Sequence, residues 1–249
     1  MKRVKSLQRL KVTLFIILIT ALVTAQAVNA APVWHANEEG KKAVFILPFE
    51  EVVPLYTQGE ITEYLSSSGY SIDVFRDENV TVELMKHILC DYDVIIIKTF
   101  KNDYKQEYTL LTGEKIVAGN ICHEQDITEG RVNLGYFYTY ELTEDFFNYY
   151  YDIGILEGKL IYVIAAKSTF MLNIFKNRGA RLVVGYSKDV SLSWGWCDLI
   201  AEYFFRYMSF GYSAGESINI INRRLHPANN YIYSNLAVTY MGDASFRLE

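Results

Sequence analysis

Apolar residues in this chain fall into short continuous runs separated by stretches spaced for helices. Ala43-Val44-Phe45-Ile46-Leu47 is one such run, with β-branched content, and predicts a strand buried on both faces. Leu55, Ile61, Tyr64 and Leu65 then fall at helical intervals, and Ser66-Ser67-Ser68-Gly69 stops the pattern, Gly69 being suited to the left-handed residue beyond a helix end. Ser71 to Arg76 alternates polar with apolar residues and predicts a second strand, nearer an edge. Asn79 or Thr81 can cap the next helix, which carries Val82, Leu84, Met85 and Ile88 with Glu83 in its first turn. Tyr92 to Ile97, the most apolar run to this point, predicts a central strand. Three strands joined by two helices argue for right-handed βαβ units and a parallel sheet covered by helices.

From Phe100 to Asn148 the pattern loosens. Lys115 to Ala118 and Val132 to Tyr140 read as short antiparallel strands, and Thr143 can cap a helix through Phe146, Phe147 and Tyr150. Residues 101–148 are therefore expected to form a β-hairpin excursion. The five tyrosines Tyr136, Tyr138, Tyr140, Tyr149 and Tyr150 are expected to pack the hairpin against the sheet, the alternative being an adhesive surface. Gly158 to Ala166 restores the pattern as a central strand, and Ser168 or Thr169 begins a helix that Gly179 ends. Arg181 to Tyr186 predicts a fifth strand. Trp194 to Phe210 predicts a long helix with Leu199, Ile200, Tyr203, Phe204 and Met208 on its apolar stripe, and Gly215 to Arg224 a further helix. Leu236 to Tyr240 closes one sheet edge. The expected fold is a three-layer α/β/α sandwich around a mostly parallel, about six-stranded sheet.

Composition changes this picture at the N-terminus. Lys2, Arg3, Lys5, Arg9 and Lys11 precede an apolar run from Val12 to Ala25, which is short for a membrane span and reads as an export signal. Val28-Asn29-Ala30 offers the small residues a signal peptidase needs, giving cleavage before Ala31; Ala25-Gln26-Ala27 is an alternative cut. Residues 1–30 are thus read as a signal peptide, 31–41 as a linker and 42–249 as one domain. Membrane attachment is expected only if the leader stays uncleaved. The whole chain of 249 residues carries −5, but removing the leader lowers 24 basic residues to 19 against 29 acidic, leaving −10. Nucleic acid is not an expected partner of such a surface. Export permits disulfides, yet the odd set Cys90, Cys122 and Cys197 leaves at least one thiol unpaired within the chain. Asn79-Val80-Thr81 is a glycosylation acceptor where the host glycosylates exported proteins.

The ordered series Tyr92–Thr99, Leu160–Ala165, Gly179–Gly185 and Gly242–Leu248 resembles the caspase-like cysteine peptidase superfamily, which holds gingipains, caspases, separase and the CHAT-domain proteins, and most of all its exported prokaryotic members. The match spans residues 42–249, and Ala244 stands where the family's terminal Gly-Asp-Pro motif has Pro. The resemblance implies that the first of these strands ends in a catalytic His and the second in a nucleophilic Cys, the thiolate attacking a carbonyl while the imidazole handles protons. This chain has Thr99-Phe100 and Ala165-Ala166 at those places. Phe100 has no titratable proton and Ala166 no nucleophile, so both halves of the mechanism are gone. Lys101 stands where a Gly of the oxyanion hole often follows the His, and the close approach that Gly permits is lost.

The other chemistry-bearing residues read as structural. His87 lies in a predicted helix, and Cys122 and His123 are adjacent in an extended segment, where neighbouring side chains point to opposite faces. Cys197 sits at a helix start, which can lower a thiol pKa, but without a His close in sequence. Lys167 and Ser168 invite a serine–lysine reading, against which Ser168 as a helix cap is preferred. There is no phosphate-binding loop, no G-x-G-x-x-G after the first strand and no H-E-x-x-H, and neither a metal nor a cofactor is expected. The sequence therefore reads as an exported, catalytically inactive caspase-like domain that binds a protein or peptide near Phe100, Lys101, Ala166, Tyr186 and Trp194. The alternative is a hydrolase working through Cys197 or Ser168.

Overall fold

A computed structural model of the chain describes residues 40–99, 109–119, 121–135, 137–165, 168–187, 194–225 and 238–248. The expected leader and most of the linker, residues 1–39, lie outside them.

The elements are, in order, β1 (Lys42–Leu47), α1 (Gln58–Ser67), β2 (Ser71–Arg76), a 3-10 turn (Asp77–Asn79), α2 (Val82–Met85), a second 3-10 turn (Ile88–Cys90), β3 (Val94–Lys98), β4 (Leu110–Lys115), α3 (Glu124–Thr128), β5 (Val132–Leu134), β6 (Thr139–Leu142), α4 (Glu144–Tyr150), β7 (Leu160–Ile164), α5 (Thr169–Asn177), β8 (Leu182–Tyr186), α6 (Trp194–Ser209), α7 (Ala214–Leu225) and β9 (Val238–Gly242). Six strands form the main sheet in the order β2-β1-β3-β7-β8-β9. The first five are parallel, and β9 closes the edge antiparallel to β8.

The continuous apolar runs are explained by two cores, one on each sheet face. Phe45, Ile96 and Tyr162 point to one side, against Ile61 and Leu65 of α1, Phe204 of α6 and Ile218 of α7. Their strand neighbours Ile46, Ile95 and Val163 point to the other, against Met85 of α2, Phe146 of α4 and Phe175 of α5. Period-two side-chain alternation in a strand covered on both faces demands apolar residues at every position. The result is the expected α/β sandwich.

The excursion is a separate antiparallel sheet of order β4-β6-β5, and Leu110, Val132, Tyr140 and Leu142 dock it into the second core. Four expectations are corrected here. The strand expected at Lys115–Ala118 is instead Leu110–Lys115, and the region Val132–Tyr140 holds two strands, Val132–Leu134 and the start of Thr139–Leu142. The helix expected through Ile88 stops at Met85, and Ile88–Cys90 turns separately before β3. Thr81, not Asn79, caps α2, its hydroxyl accepting from Leu84 N–H at 3.0 Å. Of the tyrosines expected to pack the hairpin, Tyr140 is buried while Tyr138 and Tyr149 are exposed; Tyr136 lies outside the described residues. Among the described residues, no helix is long and apolar enough to cross a membrane.

Candidate functional site

Parallel strands bring their C-terminal ends to one edge, where α/β sheets place their sites. Here Lys98 of β3 is in register with Ile164 of β7, and Thr99 N–H donates to the Ile164 carbonyl at 3.2 Å. Thr99 and Ala165, both buried, are therefore side by side at that edge. Phe100, Lys101 and Ala166, the next residues in each chain segment, lie outside the described residues, as does Lys167. Trp194 opens α6, but its side chain is outside them too.

Tyr186 ends β8 as expected, but its ring lies in the core rather than on an open surface. Its hydroxyl donates to the Cys197 carbonyl at 2.8 Å and shares a 3.2 Å hydrogen bond with Tyr162. Burial holds the Tyr186 hydroxyl well above its ordinary pKa. Ser168 is also fully buried, and its Oγ accepts from Tyr186 N–H at 2.8 Å. It thus ties α5 to β8 and does not cap the helix with its side chain, as had been expected. Gly185 makes room for this contact: a Cβ there would lie 2.4 Å from Ser168 Oγ. Cys197 is fully buried, and burial, reinforced by the charge of Asp198, pushes its thiol up to about 12. A protonated, inaccessible thiol is a poor nucleophile at neutral pH, despite its place near a helix start. Cys90, Cys122 and Cys197 are all free, with Cys122 exposed.

One pair at this edge escaped the sequence reading. Lys98 Nζ donates to both carboxylate oxygens of Asp198, at 2.8 and 2.9 Å, and to the Pro54 carbonyl at 2.7 Å. The two side chains are only 4% and 1% exposed. Asp198 also accepts from Tyr56 N–H at 3.3 Å, and its own carbonyl accepts from the Thr57 hydroxyl at 2.9 Å. Burial pushes the Asp198 carboxyl up, against the pull of the Lys98 ammonium. The pair joins the end of β3, the segment after β1 and the first turns of α6. A lysine closing an apolar strand was its signal, because a charge carried into a core needs a partner.

His123 and Cys122 are not in an extended segment: His123 is left-handed, with φ 62°. Its Nε2 lies 2.8 Å from Glu114 Oε1 and its Nδ1 3.5 Å from Glu83 Oε1, while Glu114 Oε2 accepts from Val82 N–H at 2.8 Å. This group fastens β4 to the start of α2. Behind it, Asp126 accepts from Arg131 Nε at 2.6 Å and Tyr150 hydroxyl at 2.8 Å, with Lys86 Nζ at 3.2 Å. Burial opposes ionisation of Asp126, yet these bonds together hold its carboxyl below the usual value. His87 is exposed. Asn79 is exposed in its 3-10 turn. Among the described residues, no group of three or more His, Cys, Asp or Glu side chains is arranged to hold a metal.

No protein-family model matches the chain, and no curated protein matches its sequence.

Proposed function

We propose that the chain is an exported, catalytically inactive member of the caspase-like fold that binds a protein or peptide at the C-terminal ends of β3 and β7. One observation supports this above others. The two segments that lead to Phe100 and Ala166 are adjacent parallel strands, joined up to Thr99 and Ile164, which is the adjacency a His–Cys dyad requires of its two strands. With Phe and Ala at these positions the dyad chemistry is absent, and an extended segment is a suitable occupant. The alternative hydrolase gains no support from Cys197 or Ser168, since both are buried and Ser168 Oγ is engaged by Tyr186 N–H.

The test is to restore the dyad. In the Phe100→His, Ala166→Cys double variant, iodoacetamide should alkylate the introduced thiol faster near neutral pH than in Ala166→Cys alone, because the imidazole draws off the thiol proton. Equal rates in the two variants would remove the basis of the reading.

A further inference from the structure

Three segments meet beside the small sheet: residues 48–53 after β1, the 3-10 turn Asp77–Asn79 after β2, and Phe137–Tyr138 just before β6. The rings of Phe49 and Phe137 are 5.6 Å apart between centroids, and Glu51 N–H donates to Asp77 Oδ1 at 3.0 Å. Gly113 of β4 wedges between the segments, where a Cβ would fall 1.8 Å from the Asp77 carbonyl oxygen and 2.9 Å from that of Pro48. The surface so assembled displays Val52, Phe137 and Tyr138, which are 73, 45 and 78% exposed. Tyr138 adopts φ 55°, a left-handed conformation that bulky residues rarely take, and its carbonyl accepts from Ile116 N–H at 2.7 Å. A strained turn that leaves a tyrosine in water is better suited to display than to packing.

Charge names the occupant. Residues 48–57, 77–82 and 132–140 contain the acids Glu50, Glu51, Asp77 and Glu78 and neither Lys nor Arg. Three bases flank them: Arg76, whose guanidinium donates to Gln58 at 2.9 Å, the buried Arg131, which donates to Asp126 at 2.6 Å, and the exposed Lys115 at the end of β4. Glu51, next to Val52 in the chain, and Glu78, next to the Asp77 that Glu51 N–H meets, are both exposed. We infer that this surface docks a peptide segment carrying Lys or Arg on either side of an aliphatic or aromatic anchor. The anchor buries against Val52 and Tyr138, and the cations face Glu51 and Glu78, adding attraction that salt weakens. None of the dyad-equivalent positions takes part, so the inference does not rest on the proposed function.

The test uses the full chain and a fluorescein-labelled decapeptide alternating Lys with Leu and Phe, read by fluorescence anisotropy. Binding should weaken with added salt. It should fall by about tenfold or more, or roughly 1.4 kcal/mol, in Glu51→Gln, Glu78→Gln and again in Val52→Ser, Tyr138→Asn, in which Asn tolerates the left-handed backbone. Peptides with Glu in place of Lys, or Ser in place of Leu and Phe, should not bind. No binding, undiminished binding in either pair of variants, or equal binding of a control peptide overturns the inference. Loss in Ala166→Trp with the two acidic-site variants unaffected would put the peptide at the strand ends instead, overturning this inference while leaving the proposed function standing.

Discussion

Lys98 and Asp198 are each tolerable in the core only because of the other. Removing one partner of a buried ion pair typically costs about 3–5 kcal/mol, whereas replacing both by apolar residues is often close to neutral. Asp198→Asn or Lys98→Met should therefore lower the urea midpoint sharply, and Lys98→Met, Asp198→Leu should recover most of it. A double variant no more stable than the singles would contradict this account of the pair. The thiols make a second prediction at this scale: iodoacetamide should label exposed Cys122 in the native chain, and buried Cys197 only after denaturation. Asp126 makes a third. Its folded carboxyl lies below the unfolded value of about 3.9, so its contribution is complete above that pH and is lost as pH falls through the lower folded value. The stability gap between wild type and Asp126→Asn should be constant near neutrality and close below about pH 4 in urea titrations. A gap that widened on acidification would be inconsistent with the bonds from Tyr150, Arg131 and Lys86. The Lys98–Asp198 partnership was not legible in the sequence, because Lys98 meets a residue 100 positions away and local periodicity carries no information about that distance.

Elements were legible where burial is continuous. The runs that became β1, β3, β7 and β8 are apolar at nearly every position because both faces are covered, and no tertiary detail was needed to see them. The excursion was less legible. Lys115-Ile116-Val117-Ala118 has the stronger local strand pattern, yet Leu110–Lys115 pairs with β6, because Gly113 lets that backbone approach Asp77 and Pro48. The split of the α2 region has the same character: Glu114, from a distant strand, supplies a bond at the start of a helix only one turn long. Gly113→Ala should consequently detach the small sheet from the 3-10 turn. With backbone rather than a flexible side chain in the way, the cost should reach or exceed the upper part of the roughly 1–3 kcal/mol usual for overpacking. Faster amide exchange in β4 and β6, with β1 and β3 unchanged, would report it; uniform protection would contradict the docking described.

At the scale of the whole molecule, the alternation of strands and helices implied a parallel sheet, and the expected closing strand is present as antiparallel β9. Alternation alone does not give strand order, which had to come from the packing of the two cores. That order puts β3 beside β7, and the functional reading depends on it more than on any single side chain. The two strands that lead to the proposed site were legible in sequence as the runs ending near Thr99 and Ala165, while the buried pair Lys98 with Asp198 was not. The most direct test is a proximity measurement across the strand ends. In a Cys90→Ser, Cys122→Ser background, Phe100→Cys and Ala166→Cys together should be joined by a short bis-maleimide within one chain under native conditions. Absence of that cross-link, although each introduced thiol is alkylated singly, would contradict the placement of the two positions at one cleft.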